Sequence, residues 1–159
     1  MDPDDNPLVL LIGGTFYWVL LLFAGVLMPW WYVSEWAPHA GLIAPGELNV
    51  ATSDVLPWYI GTAVFLSMLL ASGYKRLVAR LASLMMVLFA YSVLLPVITA
   101  TLLILPFNLI GLTNKRIEGF VHLASIAGWT CYGLYIFFAP PPPKPFSGTG
   151  AASRAEPQT

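Results

Sequence analysis

The longest uncharged stretch of this chain, from Leu81 to Asn114, holds no Asp, Glu, Lys or Arg. Three further runs share that property: Leu8–Met28, Val55–Tyr74 and Gly119–Ala139. A helix needs about 20 consecutive apolar residues to cross the hydrocarbon layer of a bilayer. Only structures that satisfy their own backbone hydrogen bonds survive there, and a helix does so within one segment. The chain as a whole is 58% hydrophobic and 9% charged. A soluble domain carries about a quarter charged residues, so this chain lacks the charge to cover a water-facing surface. The expectation is an all-α fold: an integral membrane four-helix bundle in residues 1–139, with the lipid bilayer as its first partner.

The spans are placed at about 8–28, 55–74, 81–105 and 119–139. Leu8–Met28 reads as a span rather than a cleavable leader, because Met1–Pro7 holds three Asp and no Lys or Arg. Pro29 should stop the first helix, since proline cannot continue the hydrogen-bond ladder. Trp30, Trp31, Tyr32 and Trp36 then read as an interfacial aromatic belt, and Ser34–Asp54 as a loop. Asp54 is a plausible N-cap for the second span, with Pro57 in its first turn. The third span is expected to be one helix bent at Pro96, in preference to a re-entrant hairpin whose halves would each be too short to cross. Pro106 should lead the chain out, and Asn114, Lys115 and Arg116 should form a tight turn. Pro140–Pro143 and Pro145 open a tail, 140–159, whose Pro, Gly, Ser and Ala cannot bury a core and should be disordered. No internal repeat is apparent.

Lys75, Arg76, Arg80, Lys144 and Arg154 fall on one side of a four-span topology, and Lys115 and Arg116 on the other. That imbalance places both termini in the cytoplasm, or on the matrix or stromal side of an organelle. A net charge of -1 offers no basic field, which excludes nucleic acid as a natural partner. Cys131 is the single cysteine, so no intramolecular disulfide can form.

No span has an acidic or basic residue in its middle, which disfavours ion-coupled transport and voltage sensing. No metal, nucleotide or cofactor pattern emerges. Two histidines remain. His39 lies in the first loop and His122 one turn into the last span, on the same side of the membrane. Glu118, four residues before His122, shares its helix face. Together His39, His122 and Glu118 are the candidate catalytic residues, beside the plainer reading of an interfacial histidine capped by its neighbour. Small residues at four-residue steps (Ala63, Ser67 and Ala71; Ala124 and Gly128) permit close helix packing, within the bundle or onto other membrane subunits. Gly13-Gly14 is read as a packing feature too. Ser83, Tyr91, Ser92, Thr99 and Thr101 line the third span, and their expected task is to satisfy the carbonyl that Pro96 frees.

The stretch Thr101–Asn108, with Pro106 before Asn108, resembles the end of the third helix in small four-span anthrone-oxygenase-like proteins. Those proteins carry a Trp and an Arg around the histidine of their last helix. Ile117–Ser125 has His122 but neither of these, so the resemblance implies the span count and no activity. Two functions follow as expectations. One is a non-catalytic accessory or assembly subunit of a larger membrane complex. The other is a small membrane enzyme acting on a lipidic or polyketide-like substrate at the His39/His122 face.

Overall fold

A computed structural model describes residues 6–47 and 52–141. The acidic leader and all but the start of the Pro-rich tail lie outside the described residues. Within them the regular elements are all helical. They join into four long helices: α1 (Pro7–His39), α2 (Thr52–Ala71), α3 (Lys75–Leu109) and α4 (Lys115–Phe138). Each is long and apolar enough to cross a membrane.

The helices end later than the prolines suggest, and the reason is glycine. Gly41, Gly73 and Gly111 all adopt positive φ. At each of them two backbone bonds close the helix in the same way. Gly41 N–H donates to Pro38 O and Leu42 N–H to Ala37 O. Gly73 and Tyr74 repeat this on Leu70 and Leu69, and Gly111 and Leu112 on Asn108 and Phe107. This is the Schellman arrangement, which satisfies the last carbonyls and needs a residue without a Cβ penalty. α1 therefore runs past Pro29 to His39, so Trp30–Trp36 are helical rather than a belt on a loop. α2 begins at Thr52 and stops at Ala71, which puts Asp54 inside its first turn. α3 includes the basic residues expected to precede it and continues through Pro106 to Leu109. Asn114 caps α4 by accepting from Arg116 N–H, so Lys115 and Arg116 form its first turn and no separate loop.

Pro29 and Pro96 pass without ending the helix because the backbone widens just before them. Met28 N–H bonds Phe23 O, and Leu95 N–H bonds Ala90 O, closing one π turn at Phe23–Leu27 and another at Ala90–Leu94. In a regular helix the proline ring would strike the carbonyl one turn back. The extra residue in each turn moves the carbonyl register off the ring. α3 is thus one continuous helix across Pro96, and the hairpin alternative is not adopted.

Packing follows the small residues. α1 and α2 run antiparallel, with Gly14 against Ser67 and Leu70. Trp18, Leu21, Ala63 and Val78 form the buried core where α1, α2 and the start of α3 meet. Gly25, in the first π turn, lets α1 approach α3 so closely that a Cβ there would lie 2.9 Å from Met85 O. Gly119 does the same between α4 and the end of α1, and Gly133 between α4 and Tyr91 of α3. α2 touches α1 and α3 but does not reach α4. Large apolar side chains cover the outside: Phe16, Trp58, Phe65, Leu102, Leu109, Tyr135 and Phe138 are all exposed.

The architecture also holds a repeat that the sequence reading missed. Sixty-seven residues separate Phe23 from Ala90 at the start of each π turn, and Pro29 from Pro96. The same interval relates Ala71 to Phe138, the ends of the short helices. Gly25-Val26-Leu27-Met28-Pro29 and Ser92-Val93-Leu94-Leu95-Pro96 are its clearest trace. The chain is built as two hairpins of one plan, each a long helix with a π turn followed by a shorter helix.

Candidate functional site

The two candidate histidines come together at the end of the bundle where α1 finishes and α4 begins. Tyr32 and Trp36 are four residues apart on α1, and so share one face. His39 follows within the last turn of the same helix, where the sequence reading had placed a loop. Glu118 and His122 stand four apart on α4, and Glu118 is half-buried. Gly119 makes the junction possible: a Cβ there would lie 2.5 Å from Ala40 N.

His122 is 6% exposed. Its ring stacks on Trp36, with centroids 3.9 Å apart and planes 5° from parallel. Tyr32 meets the same ring edge-on at 84°, and its hydroxyl hydrogen-bonds Nδ1. His39 meets the same indole edge-on, 5.8 Å away between centroids and tilted by 62°. Trp36 thus touches both histidines, stacked on His122 and edge-on to His39. Among the described residues no three of His, Cys, Asp and Glu gather closely enough to hold a metal ion. Arg116 closes the cluster, with its guanidinium over Gly41 at the C-terminus of α1. A cation there complements the helix dipole.

A second polar cluster lies deeper, between α3 and α4. Thr130 Oγ donates to Ser92 Oγ at 2.9 Å, and Trp129 Nε1 donates to Thr99 Oγ at 2.9 Å. The third-span hydroxyls of Ser92 and Thr99 thus reach across to α4, whereas Ser83 bonds Ala79 O one turn back. None of the three serves the carbonyl freed by Pro96. The sequence reading had treated the Trp residues as belt residues and had not seen Trp129 as a donor. Trp129 next to Thr130, both in an apolar helix, was the available signal: polar side chains on apolar helices seek each other across the helix interface.

The small-residue steps divide between inside and outside. Ala63 and Ser67 are fully buried against α1, where Thr15 Oγ donates to Ser67 Oγ. Ala71, Ala124 and Gly128 are exposed. Added methyl groups at Gly61 and Gly128 would meet nothing within 4 Å. These two glycines line surface depressions, one together with Pro57, Trp58, Thr62 and Phe65, the other with Trp129 and Tyr132. Both are shallow and open. Gly61 and Gly128 are themselves 67 residues apart, so the depressions occupy matching places in the two hairpins.

Comparison with protein-family models, curated proteins and solved structures finds no significant match.

Proposed function

We propose that this chain is a multi-pass membrane protein acting without catalysis, as an accessory or assembly subunit of a larger membrane complex. The observation that carries this reading is the closure of His122. Trp36 covers one ring face, Tyr32 occupies Nδ1, and only 6% of the residue is exposed. A catalytic imidazole must reach its substrate's proton within hydrogen-bond distance. This one is spent on holding α4 to α1. The open glycine-lined faces at Gly61 and Gly128 support the subunit reading, because small residues let a neighbouring helix approach closely. The Lys and Arg distribution supports both termini facing the cytoplasm, or the matrix or stroma.

The test uses the protein extracted in mild detergent from its native membrane. Native sizing should give a complex of defined stoichiometry. Gly61→Leu and Gly128→Leu should abolish it without lowering the isolated chain's melting temperature, since a Cβ added at either position meets nothing within 4 Å. A lone chain in the wild type, or normal assembly of both variants, refutes the reading.

The hydrogen-bonded Tyr32–His122 pair, with His39 against the same Trp36, supports a second reading: a small membrane enzyme for a lipidic or polyketide-like substrate. Turnover by a lone purified chain that disappears in His39→Ala, with folding retained, would establish it over the first.

A further inference from the structure

α3 opens on a two-sided segment unlike any other in the chain. Val78 is buried there, and Leu81, Ala82 and Met85 pack against the core of α1 and α2. Lys75, Arg76, Ala79, Arg80 and Ser83 occupy the opposite side, and all five are exposed. Three cations therefore stand together on one face within two helical turns. The acids among the described residues do not neutralise them: Glu35, Glu47, Asp54 and Glu118 belong to the other end of the bundle, where α1 ends and α2 and α4 begin.

Height in the membrane follows from helix length. α3 has 35 residues. At 1.5 Å per residue it spans about 50 Å, well beyond a hydrocarbon layer of about 30 Å. Its charge-free portion begins only at Leu81, so the cationic face emerges at headgroup level, beside the exposed Tyr74. Phosphate groups lie at that depth at high density. Arg matches them with a planar fork of donors, and Lys with a mobile point charge. The first-turn amides of α3 open onto the same space, because Tyr74 provides no side-chain cap.

We propose that Lys75, Arg76 and Arg80 form a docking face for the phosphate headgroups of anionic phospholipids, fixing the depth and rotation of the first hairpin against the second. The inference goes beyond the subunit role and rests on membrane embedding. Protein that stays soluble without detergent would defeat the embedding itself, a result separate from any lipid preference.

The experiment is native mass spectrometry of the full chain equilibrated with equimolar phosphatidylglycerol and phosphatidylcholine. Enrichment of phosphatidylglycerol on the order of tenfold is expected, since each surface cation adds a modest attraction to an anionic headgroup. Lys75→Gln/Arg76→Gln/Arg80→Gln should remove it, and Lys115→Gln/Arg116→Gln should not. Arg80→Gln alone, expected to lower the enrichment severalfold, keeps the test decisive if the triple variant folds poorly. Equal binding of the two lipids, or enrichment that survives the triple variant or disappears in the Lys115/Arg116 control, overturns the proposal. Complete displacement by millimolar inorganic phosphate would assign the face to free anions and overturn it as well. So would enrichment that is absent in the wild type and appears in Asp2→Asn/Asp4→Asn/Asp5→Asn, which would make the chain's own leader the occupant.

Discussion

The α1–α2 and α3–α4 hairpins share a backbone plan and differ in what holds them. In the first, the contact is mainly apolar and tightly filled: Trp18, Leu21 and Ala63 are buried together, Gly14 faces Ser67, and one side-chain hydrogen bond crosses, from Thr15 to Ser67. In the second, side-chain hydrogen bonds cross between the helices, from Thr130 to Ser92 and from Trp129 to Thr99, while Gly133 seats the ring of Tyr91. Where Gly25 admits the body of Met85 in the first π turn, Ser92 in the second offers a hydroxyl to Thr130. A π turn before a proline is thus a backbone device indifferent to the chemistry beside it. It needs a small residue where the widened turn meets a neighbour, and either packing or a hydrogen bond can complete the contact.

The comparison breaks most severely at Trp18. Trp18→Ala should destabilise the chain by about 3–5 kcal/mol, because a fully buried indole leaves a cavity that four helices cannot close. Trp18→Phe should lose much less, since the indole N–H has no partner to forfeit. Equilibrium unfolding in mixed micelles measures both; equal losses would show that the ring's shape, rather than its volume, is what the core requires. Next comes Gly133→Ala, which drives a methyl into the Tyr91 ring and should cost about 1–3 kcal/mol. Gly128→Ala on the outer face should instead be neutral or stabilise slightly by helix propensity. If the two behave alike, α4 is not seated on α3 as described.

Tyr32→Phe removes the partner of a buried imidazole nitrogen. It should cost about 1–3 kcal/mol, the usual penalty for an unsatisfied buried group. Adding His122→Phe to it should recover part of that loss, because both polar partners are then gone. A double variant as unstable as the sum of the singles would mean that the hydrogen bond contributes nothing. The smallest effect belongs to the polar cross-links of the second hairpin. Ser92→Ala should cost about 0.6 kcal/mol, typical of such bonds between membrane helices. A loss several times larger would make those cross-links, and not helix packing, the main support of α3 against α4.

Most of the architecture was legible in the residues. Four uncharged runs gave four helices, and the single passage through Pro96 was foreseen from the length each half would need. The helix ends were not, because two prolines were taken as terminators. Pro29 is accommodated by a widened turn just before it, and Pro106 stands in the last turn of its helix, which runs on to Leu109. Gly41, Gly73 and Gly111 were the real stop signals, visible in the sequence but read as loop residues or passed over. The candidate site was half legible. His122 and Glu118 were placed on one face by helical spacing alone. Tyr32 and Trp36 were assigned to a belt, since nothing in the local sequence says that α1 continues far enough to bring them onto α4.

What the sequence determined by itself is the number of helices, their apolar character and the confinement of charge to positions near the helix ends and connections, because each uncharged run is long enough to form one helix. The tertiary structure alone decided the rest: which glycines face a neighbouring backbone and which face outward, that His122 is enclosed by Tyr32 and Trp36, and that the two hairpins repeat one plan. The physical reason lies in helix geometry. Spacing along the chain fixes which residues share a face, but the face a helix turns toward its neighbour is set by how closely backbones can approach. That distance is governed by single small residues whose partners lie tens of positions away.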